Sequence, residues 1–300
     1  MKPLLLIYNP NAGKGAIAGH LNEIIQIFTA HHWLCSCWPT RKKGDGKKIV
    51  TELGSKFARI VCAGGDGTLS EIAEGLLSLE SPPPLAYIPF GSTNDSANTL
   101  HLPKDPLNAA KIAATGIPLK QDSGSLNGQP FLYVAAFGAF SAVSYEVSQD
   151  WKNMFGSLAY VMGGMVSLPS ITPYHIKVCY DGKEIEDDFF YGMVCNSYTV
   201  GGLTALSEDT VFLDDGEFEV LLIRKADGFH AIFAALQSFL WKIPIEDSSV
   251  LTFRAKELSF HCTIPLAWTI DGEYGGTGHD HRVVNHRHSL TVIHGENLYS

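Results

Sequence analysis

Residues 61–71 read VCAGGDGTLSE, an apolar strand running through Gly64-Gly65-Asp66-Gly67-Thr68 into the first turn of a helix. Two adjacent glycines let the backbone turn sharply and approach a ligand with no Cβ in the way. The helix that follows turns its unpaired N–H groups and positive dipole end to the same point. Thr68 is placed to cap that helix, with Glu71 three residues on as in a capping box. Asp66 is the odd member. A carboxylate inside an anion-binding turn makes sense if a divalent cation bridges it to phosphates. A bare GGDG is equally the mark of a tight strand-to-helix turn whose Asp serves turn propensity alone.

Two flanking motifs weigh against that plainer reading. The chain opens with KPLLLIYNPNAGKGA, a strand entering the loop Asn9-Pro10-Asn11-Ala12-Gly13-Lys14-Gly15. A third strand, PLAYIPF, enters Gly91-Ser92-Thr93-Asn94-Asp95 and a short helix through Leu100. In an open parallel sheet such loops gather at the carboxyl edge, where ligands bind. The first loop is no Walker A loop, because position 8 is Tyr and position 15 is Gly rather than Ser or Thr. Gly13, Gly15 and Gly19 imitate a dinucleotide fingerprint weakly, since no acidic residue closes the second strand to hold a ribose hydroxyl.

Hydrophobic residues make up 45% of the 300 and charged residues 18%, which indicates a folded chain of one large or two ordinary domains. A formal charge of −9 argues against a nucleic-acid partner and against attraction of the whole molecule to anionic lipid. Membrane contact must therefore use a local basic or apolar patch. The six cysteines show neither zinc spacing nor a secreted disulfide framework. Cys35 and Cys37 alternate on a strand and are expected to face one side into the core. The N-terminal apolar run is too short for a signal peptide, and no run reaches the 18 or so residues of a transmembrane helix. The expectation is a cytoplasmic protein.

Residues 1–120 alternate strand and helix. LLLIY precedes a helix carrying Leu21, Ile24, Ile25 and Phe28; WLCSCWPT precedes one with Ile49, Val50, Leu53 and Phe57. From about residue 121 the pattern becomes strands joined by Asp-Gly turns, in HIKVCYDGKEIEDDFFYGMVCNSY, LDDGEFEVLLIRK, LTFRAKELSFHC and SLTVIHG. The expected architecture is an α/β N-terminal domain, a three-layer parallel sheet, over 1–120, and a β-rich antiparallel sandwich over 121–289. His279, His281, His286 and His288 fit a solvated strand face around a hairpin better than a metal site. Residues 228–242, GFHAIFAALQSFLWK, carry apolar residues at helical spacing, suited to core packing or to a lipid surface.

The chain resembles the diacylglycerol kinase catalytic superfamily, which includes sphingosine and ceramide kinases and bacterial lipid kinases, over almost its whole length. The family's NPxAG, GGDGT and P-x-G-[ST]-x-N-D elements stand here as NPNAG, GGDGT and PFGSTND. Asp122-Ser123-Gly124, WKNMFGSLAYV, NSYTVGG, LDDGEFEVLLI and Ile270-Asp271-Gly272-Glu273 match further on. GGDGT alone is shared with NAD kinases, whose sheet the first half should share.

The resemblance implies an ATP- and Mg²⁺-dependent kinase acting on a lipid hydroxyl at the membrane surface. It implies that Asn9 to Lys14 contact ATP together with Gly64 to Thr68 and Ser92 to Asn94, and that Thr40 or Arg41 reaches the nucleotide. Arg41 equally belongs to the solvated run RKKGDGKK. Asp66 and Asp95 are assigned to the magnesium–ATP cluster, although Asp95 also suits a helix cap. Asp122 is expected to complete the acidic group, and Lys152 to offset its charge. The LDDG turn holds a structural magnesium in bacterial relatives, which points here to Asp215 with carbonyls near Phe212 and Glu217, or else to a plain hairpin turn. The last strand, near 289–295, returns to the first domain in the family. Glu273 is the candidate general base, worth about 10²–10⁴-fold when positioned. An NAD kinase, a nucleotide sensor without turnover and an NADPH-binding oxidoreductase are the alternatives. The lipid and the oligomeric state, a homodimer included, stay open.

Overall fold

The structure is a computed structural model and describes residues 1–138, 173–200, 203–204, 211–225 and 249–295. Lys152, the WKNMFGSLAYV motif and residues 228–242 lie outside the described residues.

The first half is built as the alternation requires. Strands β1 (Lys2–Tyr8), β2 (Trp33–Pro39), β3 (Arg59–Gly64) and β4 (Leu85–Pro89) pair in parallel in the order β2-β1-β3-β4. Their runs of buried residues, Leu4 to Ile7 and Ile60 to Ala63, suit strands covered on both faces. Helices α1 (Ile17–Ala30) and α5 (Pro106–Thr115) cover one face, and α2 (Asp45–Leu53) and α3 (Asp66–Leu77) the other. Close helix approach rests on small residues: a Cβ on Gly75 of α3 would stand 2.8 Å from the Lys47 carbonyl of α2. Phe57 falls outside α2, because the chain tightens into a 3₁₀ turn at Gly54–Lys56 and then extends. Short α4 (Asp95–Thr99) follows β4.

Cys35 and Cys37 do share a side, with sulfurs 3.8 Å apart, but Cys37 is exposed. Core packing was the wrong expectation for it, since β2 lies at the end of the strand order, where side chains have a neighbouring strand on one side only.

The second half comprises β5 (Ile117–Leu126), β6 (Gln129–Phe131), β7 (Val134–Gly138), β8 (Tyr174–Tyr180), β9 (Lys183–Cys195), the short pair β10 (Thr199–Val200) and β11 (Leu203–Thr204), β12 (Phe218–Arg224), β13 (Val250–Ala255), β14 (Glu257–Ile270) and β15 (Glu273–His294). Apart from β10 and β11 these strands join the same hydrogen-bonded network as the first half. Strands β9 and β14 each pair with β8 along one stretch and with β7 along another, and the four strands share one core. Trp268, Phe137 and Phe260 fill that core with ring centroids 4.8–5.8 Å apart.

Strand β15 spans both halves. Near its start it pairs with β14, along its length with β5, and at Val292 it lies parallel beside Leu85 of β4. His281 on this strand is 4% exposed, contrary to a solvated face. Its ring lies 5.6 Å from that of Trp268 and its nitrogens meet Asn127 and the Gly278 carbonyl. Among the described residues no three His, Cys, Asp or Glu side chains cluster to hold a metal.

Truncating the central indole, Trp268→Ala, is expected to cost about 3–5 kcal/mol of stability. Urea unfolding followed by circular dichroism measures it.

Candidate active site

The three glycine-bearing loops meet at the carboxyl ends of β1, β3 and β4. In the first loop Gly13, Lys14 and Gly15 all take positive φ, at 58°, 59° and 81°. The loop rests on the third one, where a Cβ on Gly13 would stand 2.9 Å from the Phe90 carbonyl. The second and third loops touch main chain to main chain, and a Cβ on Gly91 would stand 2.8 Å from the Gly65 Cα. Only glycine permits that approach.

The helix after GGDGT starts one turn earlier than expected. Its N-cap is Gly65, with no side-chain capping bond, and Asp66 is its first residue. Thr68 therefore sits inside the first turn, and the capping box with Glu71 does not form. Glu71 instead accepts from the N–H groups of Gly44 and Gly46 at 2.7 and 3.1 Å, which anchors the start of α2.

The Asp66 carboxylate accepts from the N–H groups of Asp95 and Ser96 at 3.1 and 3.3 Å and from the Thr93 hydroxyl at 3.2 Å. It thus fastens α4 from outside. Burial pushes its pKa up even so. Asp95 is 2% exposed and is the first residue of α4. The Tyr133 and Tyr87 phenols are also raised, first by burial and then by negative charge, that of Asp271 and Asp66 at Tyr133 and that of Asp66 foremost at Tyr87. A bound cation offsets the cost of charging a buried carboxylate. With only two such carboxylates, that cation would take its remaining ligands from phosphates, as magnesium does.

An open cleft of about 670 Å³ joins these loops to the second half. Of the expected residues, Asn9, Asn11, Ala12, Gly13, Thr40, Arg41, Gly65, Gly67, Thr68, Ser92 and Glu273 line it. Pro10, Lys14, Gly64, Asp66, Thr93, Asn94 and Asp95 stand outside that lining, flanking or behind it. Asn94 has a structural job: its side chain accepts from the Gly91 N–H at 2.8 Å and the Tyr87 hydroxyl at 3.1 Å, and donates to the Gly91 carbonyl. The second half contributes Gln129, Pro130, Ile270, Asp271 and Tyr274. Glu273, at the start of β15, is paired with Lys43 of the basic loop. The sequence reading assigned no role to Lys43 or Asp271; for Asp271 the only signal was its place in the DGE turn.

Asp122 is not at the cleft. It is fully buried, and its carboxylate accepts from the N–H groups of Gly216 and His288 at 2.6 and 2.7 Å. It ties the LDDG turn to a kink in β15.

Two donors of the LDDG turn, the Asp215 carboxylate and the Asp214 carbonyl, already face basic side chains. Asp215 pairs with Arg254, which also approaches Glu217 at 3.4 Å and Glu219 at 3.6 Å. The Asp214 carbonyl accepts from Arg287 and His288. Phe212 is exposed, and Arg254 lies 5.9 Å from its ring centre. As arranged, Arg254 stands where a divalent ion would meet the Asp215 carboxylate.

Comparison with known proteins agrees with these loops. The diacylglycerol kinase catalytic domain matches residues 3–126, and the YegS C-terminal NAD kinase beta sandwich-like domain matches residues 134–293. A diacylglycerol kinase of Bacillus subtilis (strain 168) is 33% identical over 295 residues, covering 98% of this chain and 97% of the relative. A diacylglycerol kinase of Staphylococcus carnosus (strain TM300) is 31% identical over 275 residues, covering 90% of this chain and 88% of the relative. A provisionally named diacylglycerol kinase from Bacillus anthracis str. Sterne has a crystal structure that superposes with a TM-score of 0.84 at 26% identity, covering 98% of both chains. The chain belongs to the diacylglycerol kinase family. It is a lipid kinase, a phosphotransferase whose family implies ATP as the phosphate donor.

Two predictions follow from the local geometry. Gly91→Ala overpacks the loop junction and should cost about 1–3 kcal/mol, whereas Gly67→Ala, with nothing within 4 Å of its Cβ, should not destabilise; thermal unfolding separates the two. Burial raises Glu219 from 4.5 to about 8. The folded protein therefore holds a proton that the unfolded chain releases above about 4.5, so stability falls as pH rises toward 8. Glu219→Gln should flatten that fall in unfolding curves taken between pH 5 and about 8.

Proposed function

We propose that the cleft binds the phosphates of ATP on the loops after β1, β3 and β4, and that a lipid hydroxyl, that of diacylglycerol or a close analogue, enters from the second half. The observation that carries this reading is Glu273. It is held on the hairpin between β14 and β15 and lines the same cleft as the first turn of α3.

The first-turn N–H groups of α3 have no partner within the helix and suit phosphate oxygens. Asn9 to Lys14 form the opposing loop, and Ser92 to Asn94 the third side. Thr40 and Arg41 extend the nucleotide side of the cleft. Mg²⁺, when bound, neutralises phosphate oxygens, and Asp66 and Asp95 are the residues that would hold it. Glu273 accepts the hydroxyl proton as the lipid oxygen forms its bond to the γ-phosphorus. The bond from that phosphorus to the bridging oxygen breaks, and ADP departs with the electron pair.

The proposed division of labour gives the nucleotide to residues 1–120, with the end of β15, and the acceptor to residues 121–289. No helix among the described residues is long and apolar enough to cross a membrane. We place the enzyme in the cytoplasm, meeting its acceptor by peripheral contact with a lipid surface, as the family resemblance implies. The B. subtilis and S. carnosus relatives are named for diacylglycerol, and that name supports the choice of acceptor.

Glu273→Gln should lower transfer of labelled γ-phosphate into diacylglycerol micelles by about 10²–10⁴-fold while ATP affinity stays near wild type. Undiminished transfer would remove Glu273 as the base. Label in NAD with unlabelled lipid would replace the acceptor.

A further inference from the structure

The turn that carries Glu273 is held by a residue with no role so far. Asp271 and Gly272 both lie in the left-handed region, at φ 48° and 80°, and Ile270 pairs with Glu273 across them. This two-residue turn with positive φ throughout accepts Asn as readily as Asp at its first position. Turn geometry therefore does not call for a carboxylate. Yet Asp271 is 8% exposed, and its carboxylate has four donors. These are the N–H groups of Leu132, Tyr133 and Val134 at 2.7, 3.0 and 3.1 Å, and the Ser70 hydroxyl at 2.9 Å. Its own N–H donates to the Val134 carbonyl at 2.8 Å.

Ser70 belongs to α3, the helix that opens with Asp66. Residues 132–134 lead into β7, in the second half. One carboxylate thus ties the hairpin tip both to the phosphate-side helix and to the acceptor-side sheet. The contact between Glu273 and Lys43 cannot do this, because both side chains are more than half exposed and such pairs hold little.

A general base must sit within about 3 Å of the proton it takes, and a displacement of about 1 Å can cost 10²-fold. We infer that Asp271 is a positioning residue, fixing Glu273 at a set distance from the phosphate loops, with Ser70 as its link to α3. This rests on the reading of Glu273 as the proton acceptor.

The test compares Asp271→Asn, Ser70→Ala, Glu273→Gln and the double variant Asp271→Asn/Glu273→Gln. Each is assayed for transfer from γ-labelled ATP to diacylglycerol in detergent micelles, for ATP binding and for thermal unfolding. Asp271→Asn keeps the turn and should lower kcat about 100-fold, with KM and ATP affinity within about twofold of wild type. Ser70→Ala should lower kcat several-fold with an unchanged melting temperature. In the Glu273→Gln background, Asp271→Asn should cost nothing further, since it acts through the missing base.

Wild-type kcat in Asp271→Asn, an equal loss in the Glu273→Gln background, or a loss expressed as weak ATP binding would each overturn the inference. Should Asp271→Asn not fold, Ser70→Ala in the two backgrounds gives the same comparison. If Glu273→Gln is fully active, the base reading falls and takes this inference with it. That outcome differs from failure of the inference alone, where Glu273→Gln is inactive and Asp271→Asn is not.

Discussion

Strand β15 is hydrogen-bonded in both halves of the molecule, and the geometry of the cleft depends on it. It starts at Glu273 and ends beside β4, whose neighbour β3 carries GGDGT. Its pairing with β5 shifts register between His286 and Leu290, and His288 there takes a positive φ of 55°. The Asp122 carboxylate receives the His288 N–H inside this irregularity. A one-residue slip would turn every side chain of the strand to the opposite face. A buried carboxylate at the kink is therefore a register pin, and the direction in which β15 leaves the first half depends on it.

The acidic residues of the sequence motifs divide by what they bind within the protein. Asp66 fastens α4, Asp122 fastens β15 and the LDDG turn, and Asp271 fastens the hairpin tip. Each uses backbone N–H donors, which hold a negative charge without a basic side chain. Glu273 differs, being exposed and facing a lysine. In its proposed role as proton acceptor, a carboxylate outside such a cage is the better placed one.

Much of this was legible in the sequence because it is local. Alternating strands and helices, the three glycine loops and the DGE turn are each written in fewer than a dozen consecutive residues. What escaped depends on distant partners. The Thr68 cap failed because Gly65, with an extended backbone, takes the N-cap position. Glu71 was then available to residues 44 and 46, a pairing that no local pattern encodes. Asn94 reads locally as part of a nucleotide loop, and its bonds to Tyr87 and Gly91 show a second job within the fold. Asp122 matched a family motif, but its use became visible only with His288, 166 residues along the chain. Asp215 met Arg254 on another strand in the same way. Exposure of Cys37 follows from the place of β2 in the sheet, which alternation along one strand does not reveal.

The meeting of Gly65 with Gly91 has a consequence for the thermodynamics of ligand capture. A surface made of main chain has no rotamers to freeze. Ordering a long side chain at an interface costs about 0.5–1.5 kcal/mol, a penalty that Arg41 and Lys43 incur but the glycine loops do not. The phosphate-facing wall is thus organised before anything arrives, its shape fixed during folding. On the proposed reading, discrimination among acceptors falls to the opposite wall, where the exposed Tyr274 and Gln129 still carry conformational freedom to lose.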